Sequence, residues 1–352
     1  MMYKNDVIKK VQFSKLDLND PFFDSLRRDY KGFNSWFLKK SENCTDAYVL
    51  FNSNSHLQAF LYLKEEFEED NTIFPKLPEA KKLKIGTFKI DAHKTSLSQR
   101  FITIILRKMI EEDFKYTYVT FYSKQKDLQS LFEKYGFVKW GMKNDEEVYC
   151  KTLNVKKDPF KDFPRIIDTK ENNKFLLGII PKYHTKLFPD SKLCNERDYH
   201  REDVSYSNSI SKCYLGSMQE MRKIKSHDLV VIYRTNRGQN GSAYYKSVVT
   251  SVCTVISTSN INNFKSFEDF KNYIGHGTIF TDSELEKFYN NRRYPYILKM
   301  IYNFPLIKRR NNGYLKDKLN INPSYWGCAQ LTDQQFYEIL QSGEVNENFI
   351  IH

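Results

Sequence analysis

Residues 83–141 decide the fold of the first half of the chain: LKIGTFKI (83–90), DAHKTSLS (91–98), QRFITIILRKMIEEDFK (99–115), YTYVTFYS (116–123) and KQKDLQSLFEKYGFVKWG (124–141). The first and fourth pieces are rich in β-branched and aromatic residues, which predicts strands, while the third and fifth repeat their apolar residues at helical spacing. The second piece is a polar turn before a helix. A helix N-terminus offers N–H groups and a positive dipole end, so this turn is a candidate phosphate-binding site.

The flanking sequence extends this pattern on both sides. Asp20 before Pro21 is a helix-start signal, and two short helices are predicted before residue 42. DAYVLFN (46–52) and HLQAFLYLKEE (56–66) predict a hairpin, and EEVYCKTL (146–153) predicts a last strand. We therefore predict a first domain over 1–155 with the order helix, helix, three strands, helix, strand, helix and two strands.

The second half predicts a separate α+β domain. The polar, proline-containing segment 156–173 is interpreted as a linker, and 174–352 as the second domain. Strands are predicted at FLLGIIP, SISKCYLG, HDLVVIYRT and YYKSVVTSVCTVIST, and an exposed connector at YHTKLFPD (183–190). Capped helices are predicted at SFEDFKNYI (266–274), with Ser266 as the cap, at TDSELEKFYNN (281–291), with Thr281 or Asp282 as the cap, and at LTDQQFYEILQSG (331–343). The expected architecture is a small β-barrel of mixed strands with peripheral helices.

Composition limits the class of protein. A length of 352 residues fits two domains, and the six scattered cysteines lack metal-ligand spacing, which is typical of reduced thiols in a cytoplasmic protein. No apolar run is long enough for a membrane span, and residues 1–13 lack a signal-peptide core. Of the net charge of +12, residues 151–352 carry +9 (30 Lys and Arg against 21 Asp and Glu). This excess favours a polyanionic partner for the second domain.

The element order of 1–155 resembles the core of the GCN5-related N-acetyltransferase (GNAT) superfamily. The resemblance implies acetyl-CoA as the cofactor, held by the third predicted strand of the domain and by the turn that follows it. In the family this turn reads Q/R-x-x-G-x-G/A, and residues 93–98 occupy it with serines where glycines are expected. The implied cofactor-binding residues are Phe88, Lys89, Ile90, Lys94, Thr95, Ser96, Leu97, Ser98, Gln99 and Arg100.

The helix SLFEKYGF (130–137) resembles the L-Y-E-K-x-G-F ending of the same family. In many members a tyrosine at the place of Phe132 protonates the departing thiolate, and phenylalanine has no such proton. Tyr135, Tyr122 and Ser123 are the candidates to replace it. The candidate bases for the acceptor amine are Glu65, Glu66 or an ordered water, and the candidate oxyanion donor is a strand N–H near 88–90.

The strand and helix order of 175–345 resembles the PUA-like superfamily, in particular its ASCH and EVE branches, which implies binding of RNA or modified bases. Independently, cations alternate with aromatic residues in 223–246, a composition suited to phosphates and stacked bases, although an ordinary amphipathic hairpin explains it equally well. The candidate nucleic-acid-binding residues are Tyr233, Arg234, Arg237, Lys246, Arg309, Arg310 and Trp326. His184, His200 and Cys194 fit no zinc spacing, so no metal is predicted.

Two functions follow from these observations. The leading hypothesis is an acetyl-CoA-dependent N-acetyltransferase that its basic domain directs to an amine on RNA or on an RNA-associated target. The alternative is a non-enzymatic nucleic-acid-binding protein in which the acetyltransferase-like fold is a scaffold, because the turn glycines and the family's tyrosine are replaced. The sequence contains no Walker loop, nucleophile elbow or HExxH motif.

Overall fold

The computed structural model describes residues 8–52, 54–91, 97–188 and 209–352, and the chain divides into two compact units, 1–154 and 155–352. Both units mix helices with sheet, as the sequence predicts for an α+β protein. Among the described residues, no helix combines the length and apolarity that a membrane crossing requires.

The first unit is built on one seven-stranded sheet with the order β1-β2-β3-β4-β5-β7-β6. Its elements are β1 (Lys9–Gln12), α1 (Asp24–Asp29), α2 (Phe33–Glu42), β2 (Asp46–Phe51), β3 (Leu57–Glu66), β4 (Lys82–Ile90), α3 (Leu97–Glu111), β5 (Tyr116–Tyr122), α4 (Lys126–Lys134), β6 (Val138–Lys143) and β7 (Glu146–Thr152). The β2–β3 hairpin and the β4-α3-β5-α4 order agree with the prediction. Strands β4 and β5 run parallel, and the neighbouring pairs are antiparallel.

Helices cover both faces of this sheet. On one side, which we call the α2 face, Phe60 and Tyr62 of β3 pack into the aromatic cluster of Phe33 and Phe37. On the other side, the α3 face, the ring of Phe88 contacts Phe101 of α3 and Phe132 of α4, with centroids 6.2 and 5.6 Å away. Burial of these large rings against the sheet fixes which side chains of β4 and β5 point to which face.

The second unit contains a six-stranded sheet with the order β10-β13-β12-β11-β9-β14 and a short pair, β15-β8. Its elements are β8 (Ile166–Ile167), β9 (Lys174–Ile179), α5 (Pro181–Leu187), β10 (Ser211–Gly216), β11 (Leu229–Arg234), α6 (Ala243–Lys246), β12 (Val248–Asn260), α7 (Phe267–Ile274), α8 (Asp282–Asn291), β13 (Tyr296–Pro305), α9 (Asn312–Asp317), β14 (Cys328–Leu331), α10 (Asp333–Ser342) and β15 (Ile350–Ile351). The sheet does not close into the predicted small β-barrel: in the described part of the chain, β10 pairs only with β13 and β14 only with β9, whereas closure needs paired edges.

Two further segments of the second unit differ from expectation. The predicted exposed connector after Ile180 is mostly helix α5, because proline suits the first helical position and His184 and Leu187 turn inward and are buried. The segment interpreted as a linker, 156–173, carries the fully buried side chains of Phe163 and Ile166, and Ile166 pairs with β15. This segment therefore packs as part of the second unit.

Candidate functional site

Strands β4 and β5 separate halfway along the sheet. Their parallel pairing runs from Lys82 opposite Tyr116 to Ile85 opposite Val119 and stops there. At the next residue, Gly86, β4 carries a bulge against β3, since Leu63 pairs with Ile85 and Tyr62 with Thr87. Beyond Gly86 the strand is bonded to β3 alone, so its β5 side faces the gap between the two strands.

A cavity of about 560 Å³ occupies this divergence. It reaches the α3 face at Phe88, Phe121 and Leu128, and the α2 face at Trp36 and Tyr62. The gap is therefore open between the two faces of the sheet. A ligand arm entering from the α3 face and a second ligand on the α2 face would meet beside 86–88.

A carboxylate and a phenol lie on the α2 side of the cavity. Glu146 accepts a hydrogen bond from Thr120 Oγ1 over 3.1 Å, and the ring of Tyr30 stacks on Tyr122 with centroids 5.4 Å apart. Burial, together with the Glu146 carboxylate, raises the pKa of Tyr30, so its hydroxyl keeps its proton at neutral pH. Glu146 can accept a proton or bind an ammonium group, and Tyr30 can donate a hydrogen bond.

The rest of the α2 side is cationic. The lining lysines are Lys31, Lys39, Lys40, Lys64, Lys84 and Lys143. Burial lowers the pKa of Lys84 despite the attraction of Glu66, whose carboxylate lies 4.0 Å from the ammonium. Lys143 forms an ion pair of 2.8 Å with Asp70, and Lys64 one of 2.7 Å with Glu66.

The predicted cofactor residues that the structure describes lie on β4 and on the first turn of α3. Phe88 lines the cavity, whereas Lys89 turns to the α2 face, where it donates to the Phe22 carbonyl oxygen, and Ile90 pairs with Ala59 of β3. Leu97, Ser98, Gln99 and Arg100 form the first turn of α3, with Leu97 and Arg100 buried. Lys94, Thr95 and Ser96 lie outside the described residues.

The structure separates the candidate catalytic residues. Tyr135 is fully buried at the end of α4 and is not among the residues that line the cavity; burial raises the pKa of its hydroxyl. Tyr122 is not among the residues that line the cavity, but its ring stacks on Tyr30 and its N–H donates to Gln125, which both line it. Ser123 lies beside Tyr122 in a shallow surface depression with Arg28 and Asp29.

The candidate bases have other partners. Glu65 is paired with Lys108 at 3.1 Å. Burial favours the neutral form of Glu66, but hydrogen bonds from Lys64 and Tyr118 outweigh it and hold the pKa of that carboxyl below its usual range. Neither glutamate is among the residues that line the cavity.

Sequence reasoning missed the residues of the α2 side. Glu146 begins β7 and pairs with Tyr122 at the end of β5. The sequence predicted both strands but not that β7 lies beside β5 in the sheet. Tyr30 and Lys31 lie between the two predicted N-terminal helices, in a segment without a motif. Only the packing of that segment shows that it borders the cavity.

The second unit has an aromatic cavity of about 180 Å³. Its aromatic lining consists of Tyr183, Tyr214, Phe280, Tyr294 and Tyr325, and the exposed Arg237 stands at the same cavity. Gly178 and Gly216 form part of its wall. Flat aromatic faces next to a guanidinium group suit a planar, electron-rich ligand such as a nucleobase.

Of the predicted nucleic-acid residues, Arg237 alone is in this lining. Tyr233 is buried and packs on Trp326, with ring centroids 5.0 Å apart, and it accepts a hydrogen bond from Asn312 over 2.9 Å. Arg234 is buried, and it acts with Arg309 as a nearby positive charge on His184.

The remaining two predicted cations bind backbone. Lys246 donates to the Asn240 carbonyl oxygen over 2.6 Å. Arg310 donates to the Ser342 carbonyl oxygen over 2.9 Å and lies over the ring of Tyr314. In the described part of the chain no three His, Cys, Asp or Glu side chains form a metal-binding group; Cys194 and His200 lie outside it.

Comparison with known proteins gives partial structural similarities. No protein-family model matches the chain, and no curated protein matches it. Similar solved structures include a GNAT-family acetyltransferase from Listeria monocytogenes (16% identity, 42% of this chain and 95% of that chain, TM-score 0.32). They also include the N-acetyltransferase PseH from Campylobacter jejuni (10% identity, 42% of this chain and 99% of that chain, TM-score 0.28). A third is ASCH from Zymomonas mobilis (9% identity, 48% of this chain and 94% of that chain, TM-score 0.30). The chain is thus similar in part to GNAT acetyltransferases and to ASCH proteins, at low identity.

Proposed function

We propose that the first unit is an acetyl-CoA-dependent N-acetyltransferase and that the second unit binds RNA or another nucleic acid that carries or adjoins the acceptor amine. The observation that supports the first part is the divergence of β4 and β5 at Gly86, with a cavity open to both faces. A bulged strand with one unpaired side offers backbone groups to an amide-rich arm, and the cavity brings a second ligand to the end of that arm.

In this proposal each face of the sheet has its own ligand. The pantetheine arm enters from the α3 face along 86–90, and the first turn of α3 supplies N–H groups and Arg100 for its phosphates. The acceptor amine lies on the α2 face, where Glu146 takes its proton. The nitrogen then attacks the thioester carbonyl carbon, the carbon–sulfur bond breaks, and the thiolate leaves and takes up the second proton that the nitrogen releases as the amide forms.

Titration calorimetry with acetyl-CoA tests the cofactor part. We expect micromolar binding by the wild-type chain, and at least tenfold weaker binding in the variant Lys94→Glu with Ser96→Glu, because it places negative charge at the proposed phosphate turn. The matched control, Lys15→Glu with Ser14→Glu, changes one exposed lysine and one exposed serine elsewhere in the unit and so makes the same change in net charge. Absence of binding at high micromolar acetyl-CoA would exclude the enzyme proposal.

The aromatic cavity favours nucleobase binding by the second unit. Labelled single-stranded RNA is expected to bind with an affinity that falls as salt rises, because its phosphates release counterions. Tyr325→Ala with Arg237→Ala removes one wall and the cation of the cavity and is expected to weaken binding roughly tenfold. Tyr245→Ala, which removes an exposed tyrosine outside the cavity, is the control. RNA affinity that does not change with salt, or RNA binding that is as strong in the Tyr325→Ala, Arg237→Ala variant as in the control, would contradict this proposal.

The alternative function, a non-enzymatic nucleic-acid-binding protein, predicts a different pair of results. RNA binding would persist while acetyl-CoA fails to bind, because Phe132 is packed in the core and the turn lacks its glycines. The two titrations together therefore separate the enzyme from the scaffold.

A further inference from the structure

The α2 side of the first-unit cavity has an excess of positive charge. Six lysines and a single carboxylate, that of Glu146, are in its described lining. Glu66 and Asp70 neutralise Lys64 and Lys143 from outside the lining. Lys31, Lys39, Lys40 and Lys84 remain, and Glu146 offsets one of these four charges. A concave cavity focuses the field of the remaining charge more than a flat surface would.

These cations come from separate elements. Lys31 lies between α1 and α2, and Lys39 and Lys40 lie on α2; Lys84 belongs to β4 and has a side chain only 20% exposed. A partly buried ammonium near other cations is destabilised by its lost hydration and by charge repulsion. A bound anion reduces both effects. Lys40 lies over the ring of Tyr62 and Lys84 over that of Tyr118, at 4.9 and 5.5 Å from the centroids, and these contacts reduce the repulsion only in part.

We propose that the acceptor of the first unit is a primary amine that carries a phosphate group, an inference that rests on the acetyl transfer proposed above. The phosphate binds the lysines of the α2 side, and the amine faces Glu146 beside the gap between β4 and β5. A phosphate offers three acceptor oxygens and up to two charges, which several lysines can share as point charges. Carboxylates are more often held bidentately by arginine, and the described lining contains no arginine.

Saturation-transfer NMR with three matched amines tests the inference without turnover. Phosphoethanolamine, β-alanine and ethanolamine share the aminoethyl group and differ in carrying a phosphate, a carboxylate or a hydroxyl. We expect the phosphoethanolamine signal to be roughly fivefold stronger than the other two, the order expected for two partly exposed ion pairs. Equal signals for phosphoethanolamine and β-alanine, or no signal at millimolar phosphoethanolamine, would overturn the proposal.

Charge variants locate the site. Lys31→Glu with Lys39→Glu changes two exposed lysines of the lining and is expected to abolish the phosphoethanolamine signal, whereas Lys15→Glu with Lys126→Glu leaves it intact. Adding saturating desulfo-CoA distinguishes the proposed acceptor site from the site that binds the phosphates of the coenzyme. Loss of the signal on adding desulfo-CoA would overturn the proposal, because the phosphate would then occupy the coenzyme site.

A fourth ligand distinguishes the source of the phosphate. Glycerophosphoethanolamine carries the same amine on a phosphodiester, so a stronger signal than that of phosphoethanolamine points to a diester-borne amine, and a weaker one to a free phosphomonoester. Failure of acetyl-CoA binding remains separable. A chain that binds phosphoethanolamine through these lysines but not acetyl-CoA keeps its phosphate site and loses the acetyltransferase proposal.

Discussion

Gly86 lies directly against the ring of Tyr62: a β-carbon added at Gly86 would be 2.6 Å from Cδ1 of Tyr62. Tyr62 is buried between α2 and the sheet, where its ring contacts those of Phe13 and Trp36 with centroids 5.5 and 5.7 Å away. The same glycine is the extra residue of the β4 bulge, after which β4 leaves β5. This contact therefore joins the packing of the α2 face to the opening of the cavity.

Gly86→Ala is expected to lower the free energy of unfolding of the first unit by roughly 1–3 kcal/mol, because the new methyl group overpacks a buried ring. Urea unfolding measures the change. In a Tyr62→Leu background the smaller side chain relieves the contact, so the cost of Gly86→Ala should fall by at least half. Equal costs in both backgrounds would show that the contact does not limit this position.

Lys82 anchors the loop between β3 and β4. Its side chain is fully buried, and Nζ lies 2.8–3.3 Å from four carbonyl oxygens, those of Phe67, Glu68, Pro78 and Ala80. Lys82→Met keeps the chain length but leaves these oxygens without their donor, so we expect a loss of about 3 kcal/mol and faster proteolysis within 67–80. Lys115→Met, at an exposed ion pair, should change stability by less than about 0.5 kcal/mol. Similar losses in the two variants would contradict the anchoring role.

The Asp70–Lys143 ion pair should make the first unit sensitive to acid. Burial disfavours the charged carboxylate, but hydrogen bonds from Lys143 and Thr72 outweigh it and hold the pKa of Asp70 well below its usual value. A lowered folded-state pKa contributes stability above the unfolded pKa, about 3.9, and this contribution is lost as pH falls below it.

Asp70→Asn should therefore cost about 1.5 kcal/mol at pH 7 and less at pH 3, where part of this contribution has been lost. Urea unfolding between pH 7 and 3 gives the measurement. Asp113→Asn, at an exposed pair with Lys115, is the control and should show a smaller difference. A cost for Asp70→Asn that stays constant with pH would exclude the ion pair as its source.

His184 should make the second unit sensitive to a milder acid range. Burial lowers the pKa of this histidine to about 3, and the charges of Arg234 and Arg309 act in the same direction. Its Nε2 bonds to Thr250 Oγ1 at 3.0 Å, and its Nδ1 is buried without a hydrogen-bond partner. Below about pH 6.5 the imidazole of His184 is protonated in the unfolded chain but stays neutral in the folded unit.

Stability should accordingly be full above pH 6.5 and fall by about 1.4 kcal/mol per pH unit below it, until the folded-state pKa is reached. His184→Gln removes this slope, whereas the exposed His276→Gln does not. Urea unfolding followed through Trp326, with Trp36 and Trp140 replaced by phenylalanine, measures the second unit at pH 7, 6 and 5. An unchanged slope in His184→Gln would contradict the prediction.

Local signals in the sequence predicted most elements of both units. Helices α7, α8 and α10 form where capping patterns predict them, because the hydroxyls of Ser266, Thr281 and Thr332 each accept from a backbone N–H in the first turn. Of the two caps considered for α8, Thr281 and not Asp282 makes this bond. The β2–β3 hairpin also follows from neighbouring residues. The open sheet of the second unit did not follow, since strand order depends on pairings between residues far apart in the chain.

The sequence by itself determined that β4 is a strand and that α3 is the next helix, because propensity and periodicity act over a few residues. The tertiary structure decided which of its side chains meet the cavity. In a regular strand Lys84, Gly86 and Phe88 would share a face, but the bulge at Gly86 shifts the alternation by one residue. Lys84 therefore shares the α2 face with Thr87, and Phe88 turns to the α3 face, since their partners on β3 and the packed rings fix the register.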